Sequence, residues 1–203
     1  MNSKLFLGLW GLTAFLSVGV AIYAYVALSL GGSPGPEVLA NLFARPWLII
    51  HVTGAGTALL LVAFQLLPAI RRRRMLHRWI GRVYASACVV GGSAGLALAV
   101  GTTAGPVAAV GFGLLAVIWI YVTGQGWLTA RARRFDDHRR WMIRSFALTF
   151  AAVTLRIYMP LSMVMHLDAV EAYRLIAWLA WVPNLIVAEL YLRRGEFRRQ
   201  QPA

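Results

Sequence analysis

Long hydrophobic stretches alternate with short polar segments along the whole chain. Each stretch has about 20 residues or more, and at 1.5 Å per residue a helix of that length crosses the roughly 30 Å hydrocarbon layer of a bilayer. Because the apolar residues run continuously and do not alternate with polar ones, the pattern predicts helices and not the strands of a barrel. The predicted spans are residues 5–30, 47–70, 79–100, 107–128, 141–165 and 173–192.

The composition indicates the same class of protein. Hydrophobic residues make up 60% of the 203 residues and charged residues only 13%, whereas a soluble domain carries about 25% charged residues. We therefore predict an all-α integral membrane protein, a six-helix bundle that forms one domain over residues 1–203. The first stretch is longer than the apolar region of a signal peptide, so we expect a retained helix.

The net charge of +13 does not indicate nucleic-acid binding, because the basic residues lie in short segments between the spans and no nucleic-acid-binding motif accompanies them. Most arginines fall on one side of the predicted membrane. The positive-inside rule then predicts a multi-pass protein of the cell inner membrane with both termini in the cytoplasm, and an inner face that contacts anionic lipid. These arginines are residues 71–74, 131, 133, 134, 139, 140, 193, 194, 198 and 199.

The two basic loops between spans resemble each other. Gln65 is followed by four arginines and then by His77, and Gln125 is followed by three arginines and then by His138. The hairpins formed by spans two and three and by spans four and five run in the same sense. A parallel duplication of a helical hairpin explains the likeness, and chance similarity of arginine-rich loops is the alternative.

Charged residues inside spans are candidates for function because their burial in hydrocarbon is costly. Arg156 lies deep in the fifth span. It is predicted to contact an anion, a haem propionate or a substrate, or else to bond backbone carbonyls freed by nearby prolines. Glu189 lies at a depth similar to those of Arg82 and Arg144, so we expect a carboxylate–guanidinium pair there. A proton relay or a substrate pocket is the alternative.

Smaller polar groups in the spans have simpler interpretations. Gln65 and Asn184 are expected to form hydrogen bonds between helices. Cys88 is a single thiol, which makes neither an internal disulfide nor a thiolate metal site, and it is predicted to be a small core residue. The glycines predict close helix packing or, alternatively, room for a flat cofactor. They are Gly54, Gly56, Gly91, Gly95, Gly111 and Gly113.

The four histidines lie near the predicted membrane borders. His51 and His166 fall towards the outer face, and His77 and His138 towards the inner face. Pairs of imidazoles at two depths are the ligand set of a dihaem b-type cytochrome. However, His138 and His166 are 28 residues apart on one predicted helix, about 42 Å at ideal rise. The alternative is that the histidines are unligated interfacial residues.

Motifs for other reactions do not occur. The sequence contains no phosphate-binding Walker loop, no dinucleotide-binding glycine pattern, no His-Glu-x-x-His zinc helix and no Gly-x-Ser-x-Gly nucleophile turn. No catalytic residue is therefore predicted.

Three motifs, which begin at His77, His138 and Trp181, together resemble the bacterial predicted-membrane-protein family known as domain of unknown function 2306. The resemblance runs over about residues 46–192, implies a multi-pass helical membrane protein and carries no established reaction. The chain is also similar to dihaem transmembrane b-type cytochromes in its histidine pairs at two depths, although it has no histidine in the fourth span. The family motifs are His77-Arg-Trp-Ile-Gly-Arg-Val-Tyr84, His138-Arg-Arg-Trp-Met-Ile-Arg144 and Trp181-Val-Pro-Asn-Leu-Ile-Val-Ala-Glu189.

Three functional hypotheses follow. The first is a redox protein in which the inner and outer histidine pairs bind haem b, with propionates neutralised by Arg82, Arg144 or Arg156. The second is a small-molecule or proton carrier. The third is a non-catalytic membrane component whose basic face binds anionic lipid or a protein partner. The polar residues of the carrier hypothesis are Gln65, Gln125, Arg82, Arg144, Asn184 and Glu189.

Overall fold

The protein is helical throughout residues 3–29, 41–65 and 67–200, the part of the chain that this computed structural model describes, and no strand occurs there. Turns and short connections join the helices. In chain order the helices are α1 Ser3–Ser29, α2 Ala44–Gln65, α3 Pro68–Arg72, α4 Arg74–Val100, α5 Pro106–Arg131, α6 Phe135–Thr149, α7 Ala151–Val164, α8 Ala169–Leu179 and α9 Val182–Gln200.

Six helical segments are long and apolar enough to cross a membrane, so the predicted six-span, all-α architecture is confirmed. The helices α1, α2, α4 and α5 each provide one span, α6 with α7 provides the fifth, and α8 with α9 the sixth. An even number of crossings places the start of α1 and the end of α9 on the same side. The spans are Trp10–Ser29, Pro46–Gln65, Arg74–Val100, Pro106–Arg131, Phe135–Val164 and Ala169–Arg194.

The second and third spans differ from their predicted limits. The second ends at Gln65, not at residue 70, and the short helix α3 follows it. Pro68 begins α3 after Leu67 adopts an extended backbone, which fits a residue that lacks an N–H group and favours the first turn of a helix. The third span begins at Arg74, five residues before its predicted start, so His77 lies within its first turn.

The fifth and sixth spans are interrupted, but only one interruption lies beside a proline. Pro160 lies inside α7, and the fifth span is instead interrupted at Phe150. In the sixth span the interruption at residues 180–181 ends two residues before Pro183, which is the second residue of α9. The side-chain amide of Asn184 joins the two interruptions. It donates to the carbonyls of Ala147 at 3.3 Å and Ala180 at 3.0 Å.

Glycines set the closest approach between helices. A Cβ atom on Gly54 would lie 2.6 Å from the backbone nitrogen of Gly91, so the backbones of α2 and α4 touch there. Gly111 of α5 packs against Ala177 of α8 in a similar way, whereas Gly113 makes only ordinary contacts. The hydrophobic effect does not drive helices together in lipid. Small residues of this kind instead let the helices approach closely, and the resulting dispersion contacts stabilise the bundle. The core around them includes Tyr84, Trp119 and Leu148.

Candidate functional site

A small cavity lies between α1, α2 and α7, in the part of the bundle away from the arginine-rich loops, which is the predicted outer side. We call it the outer cavity. Its volume is about 40 Å³, whereas one water molecule needs roughly 10–15 Å³ by the same measure, so a few water-sized groups fit. The lining contains His51 and Arg156 and no carboxylate. The other lining residues are Val20, Ala21, Ala24, Val52, Ala55, Gly56, Leu59 and Ala152.

His51 is positioned by two glycines of α4. Its Nδ1 donates to the carbonyl oxygen of Gly91 at 2.9 Å, and because a carbonyl only accepts, the neutral imidazole carries its proton on Nδ1. Nε2 is then the acceptor. A Cβ atom on Gly95 would lie 2.9 Å from Nδ1, so the ring occupies space that a larger residue would fill.

Arg156 brings a guanidinium group to the opposite wall of the outer cavity. One of its terminal nitrogens donates to the carbonyl of Ala152, one turn earlier on α7, at 3.1 Å. Its Nε is buried and has no acceptor within the described part of the chain. A guanidinium has five N–H donors and no acceptor, and a buried donor without a partner costs free energy. The described residues therefore satisfy only part of the hydrogen-bonding capacity of this guanidinium.

The first helix forms one wall of the outer cavity. The hydroxyl of Tyr25 donates to the carbonyl of Thr53 at 2.9 Å and also hydrogen-bonds the hydroxyl of Thr57 at 2.6 Å. Closer to the predicted inner face, the indole nitrogen of Trp10 donates to the carbonyl of Ala63 at 3.2 Å. These bonds attach α1 to α2 at two levels, one at the depth of the outer cavity and one beyond it.

The charged residues predicted near the inner face are not gathered into one site. Arg144 and Glu189 form a two-pronged ion pair between α6 and α9, with nitrogen–oxygen distances of 2.5 and 3.0 Å. Arg144 also lies over the ring of Trp141, 4.9 Å from its centroid. Arg82 does not join this pair. It is exposed and lies 4.7 Å above the ring of Trp79.

Gln65 and the inner histidines lie where the two hairpins turn. The amide nitrogen of Gln65 donates to the carbonyl of His77 at 3.1 Å, and Nδ1 of His138 donates to the carbonyl of Gly126 at 2.8 Å. Each bond thus joins residues 12 apart across its turn. Nδ1 of His77 is buried and has no hydrogen-bond partner among the described residues.

The outer histidines do not form a ready haem site in this arrangement. The outer cavity beside His51 is about 40 Å³, whereas sites for drug-sized ligands are roughly 300–1,000 Å³. His166 lies exposed in the turn after α7, with a left-handed backbone at φ 53°. The cavity beside His51 is therefore smaller than a porphyrin needs, and haem binding by the outer pair stays a prediction from the sequence.

A buried hydroxyl cluster links α4, α5 and α6, and the sequence analysis missed it. The hydroxyl of Tyr84 lies 2.7 Å from that of Ser145 and 2.8 Å from that of Thr149. Thr123 extends the cluster from Ser145 at 2.7 Å, and the indole nitrogen of Trp119 donates to Thr149 at 2.9 Å. Thr149 also donates to the carbonyl of Ser145, so the chain of donors ends inside the protein. The four-residue spacing of Ser145 and Thr149 was the available signal.

The comparison with protein families identifies the group to which the chain is related. The family model described as predicted membrane protein, DUF2306, matches residues 48–192. The chain belongs to this family. The comparisons with curated proteins and with solved structures gave no match.

The DUF2306 segment contains both polar residues of the outer cavity. His51 of α2 and Arg156 of α7 lie inside residues 48–192, whereas α1 precedes them. The family segment therefore supplies the polar side chains of the cavity, and the helix outside the matched segment forms one of its walls.

Proposed function

We propose that this multi-pass membrane protein binds a small anion in the outer cavity, as a binder or carrier of that anion. The observation that carries the proposal is the guanidinium of Arg156, whose buried Nε has no acceptor among the described residues. A cation in a region of low dielectric requires a counter-charge or an acceptor. An anion that enters the cavity supplies both.

The composition of the cavity wall favours an anion over other ligands. His51 and Arg156 are its polar side chains, and its lining contains no carboxylate that would repel an anion or attract a metal cation. A guanidinium binds planar oxyanions through two parallel hydrogen bonds, which are shorter and stronger than neutral ones. The volume of about 40 Å³ limits the ligand to the size of chloride, nitrate, bicarbonate or acetate.

Direct titration tests the proposal. The purified full-length protein is titrated with nitrate, acetate and chloride by calorimetry, and we expect one of them to bind with an affinity that falls at least tenfold in Arg156→Gln. Arg194→Gln is the matched control, because it makes the same charge change at an exposed position outside the cavity. Absence of binding to the wild-type protein, or equal binding to both variants, contradicts the proposal. Efflux of the bound anion from liposomes separates a carrier from a binder.

Haem binding is the second candidate, and it remains a prediction from the sequence. One observation favours it. His51 and His138 each donate Nδ1–H to a backbone carbonyl, and such a bond commonly orients a histidine whose Nε2 binds a metal. If haem b were bound, it would supply the electron-transfer chemistry. An absorbance spectrum of protein expressed with haem available tests this candidate, because a colourless, iron-free preparation would remove it.

The cell inner membrane, with the arginine-rich side in the cytoplasm, is the location that we propose. The support is the bias of arginine towards the inner ends of the spans. Reporter enzymes fused after residue 194 test it, since a reporter active only in the periplasm should give no signal there.

A further inference from the structure

Three arginines follow one face of α4 near its inner end. Arg74, Arg78 and Arg82 are spaced by four residues, which places them above one another on the same side of a helix. All three are exposed, and the guanidinium of Arg82 lies 4.7 Å above the ring of Trp79. We call these residues the α4 arginine ladder.

The second hairpin carries a related arrangement that includes acidic residues. On α6, Trp141 and Arg144 repeat the three-residue spacing of Trp79 and Arg82, and the guanidinium again lies over the ring, at 4.9 Å. Here, however, Arg144 binds the carboxylate of Glu189 through two hydrogen bonds. The residue that corresponds to Arg74 is Asp136. Two acidic residues, Asp136 and Glu189, therefore accompany Arg140 and Arg144 of α6.

In the part of the chain that the structure describes, no acid is paired with the α4 arginine ladder. The ion pairs there include Arg134 with Asp137, Arg144 with Glu189 and Arg174 with Glu171, and no ladder residue takes part in one. Like charges four residues apart on a helix repel one another. Arg82 also lies about 12 Å along the axis from Arg74, towards the hydrocarbon. An anion bound from outside the protein would reduce the repulsion between the arginines. It would also lower the free-energy cost of placing the charge of Arg82 towards the hydrocarbon.

We propose that the phosphate of an anionic phospholipid binds between Arg78 and Arg82, beside Trp79, and takes the place that the Glu189 carboxylate has at Arg144. Both guanidiniums can donate to phosphate oxygens. Val89, seven residues beyond Arg82 and therefore on the same side of α4 further into the span, is an exposed apolar residue that an acyl chain would cover. Arg74, at the end of the ladder, repels a choline group and favours a lipid with a net negative charge.

Native mass spectrometry of the full-length protein in detergent tests this site. The protein is mixed with equal amounts of phosphatidylglycerol and phosphatidylcholine, and we expect the wild type to retain phosphatidylglycerol in at least fivefold excess. Arg82→Gln should lower that excess to near one. Arg194→Gln, which removes an exposed arginine outside the ladder, should leave it unchanged. Arg82→Lys keeps the charge and should keep part of the selectivity.

Several results would overturn the proposal. Equal losses in Arg82→Gln and Arg194→Gln would mean that lipid binds a diffuse basic surface. If Arg82→Gln retained phosphatidylglycerol as the wild type does, Arg82 would not be part of a lipid site. The proposal requires that millimolar inorganic phosphate does not displace phosphatidylglycerol. Displacement would show that the site binds free anions and not specifically a lipid. Comparable thermal unfolding of the variants shows that each is folded.

Discussion

Gly54 of α2 and Gly91 of α4 are in backbone contact, and the carbonyl of the same Gly91 accepts the hydrogen bond of His51. One helix crossing thus sets both the packing of two spans and the position of the imidazole in the outer cavity. Because neither glycine has a side chain, the two helices approach closely enough for His51 to reach across.

Gly54→Ala should destabilise the protein. The added Cβ would lie 2.6 Å from the backbone of Gly91, and neither backbone can move without separating α2 from α4. Overpacking of this kind typically costs about 1–3 kcal/mol. Thermal unfolding in detergent measures it. Gly124→Ala is the control, since a Cβ there meets nothing within 4 Å, and an equal loss in both variants would argue against a special role for the crossing.

Gly95→Ala should weaken anion binding more than it weakens the fold. Its Cβ would lie 2.9 Å from Nδ1 of His51, so the ring must turn and its bond to Gly91 must lengthen. We expect the affinity for the anion identified by calorimetry to fall several-fold. Gly113→Ala is a matched control on α5, where the nearest side-chain atom is 3.8 Å away. Unchanged affinity in Gly95→Ala would mean that the position of His51 does not matter for binding.

Arg144→Gln and Glu189→Gln should each destabilise the protein, because each leaves its partner charged and partly buried. The side chains are 23% and 35% exposed, so solvent screening limits the cost to about 1–3 kcal/mol. The double variant should lose less than the sum of the two single losses. Chemical unfolding of the four proteins measures this difference, and strict additivity would show that the ion pair contributes no coupling.

Tyr84→Phe should cost about 1 kcal/mol and leave anion binding unchanged. The substitution removes the hydroxyl shared by Ser145 and Thr149, but Ser145 keeps Thr123 and Thr149 keeps the carbonyl of Ser145. Tyr121→Phe, at a position that is 56% exposed, is the control. A loss of anion affinity in Tyr84→Phe with normal unfolding would instead assign the hydroxyl cluster to function.

The residues themselves show why part of the candidate site could be anticipated. Arg156, Glu189 and Asn184 stand out in the sequence because a polar group in hydrocarbon needs a partner wherever the helices lie. The sequence did not show which partner each would have. From the sequence, either Arg82 or Arg144 was a possible ion-pair partner of Glu189. The partner is Arg144, because α6 is rotated so that this residue faces α9. The interruption at Phe150 was missed because no proline or glycine lies there.

By itself the sequence determined the six crossings, the all-α class and the family, since the length of a hydrophobic run is read directly against the thickness of a bilayer. The tertiary structure alone decided that His51 and Arg156 line one cavity, that Tyr84 shares its hydroxyl with Ser145, and that Arg82 lies apart from Glu189. These relationships depend on the rotation and crossing of each helix, which are set by contacts between residues distant in sequence, such as Gly54 and Gly91.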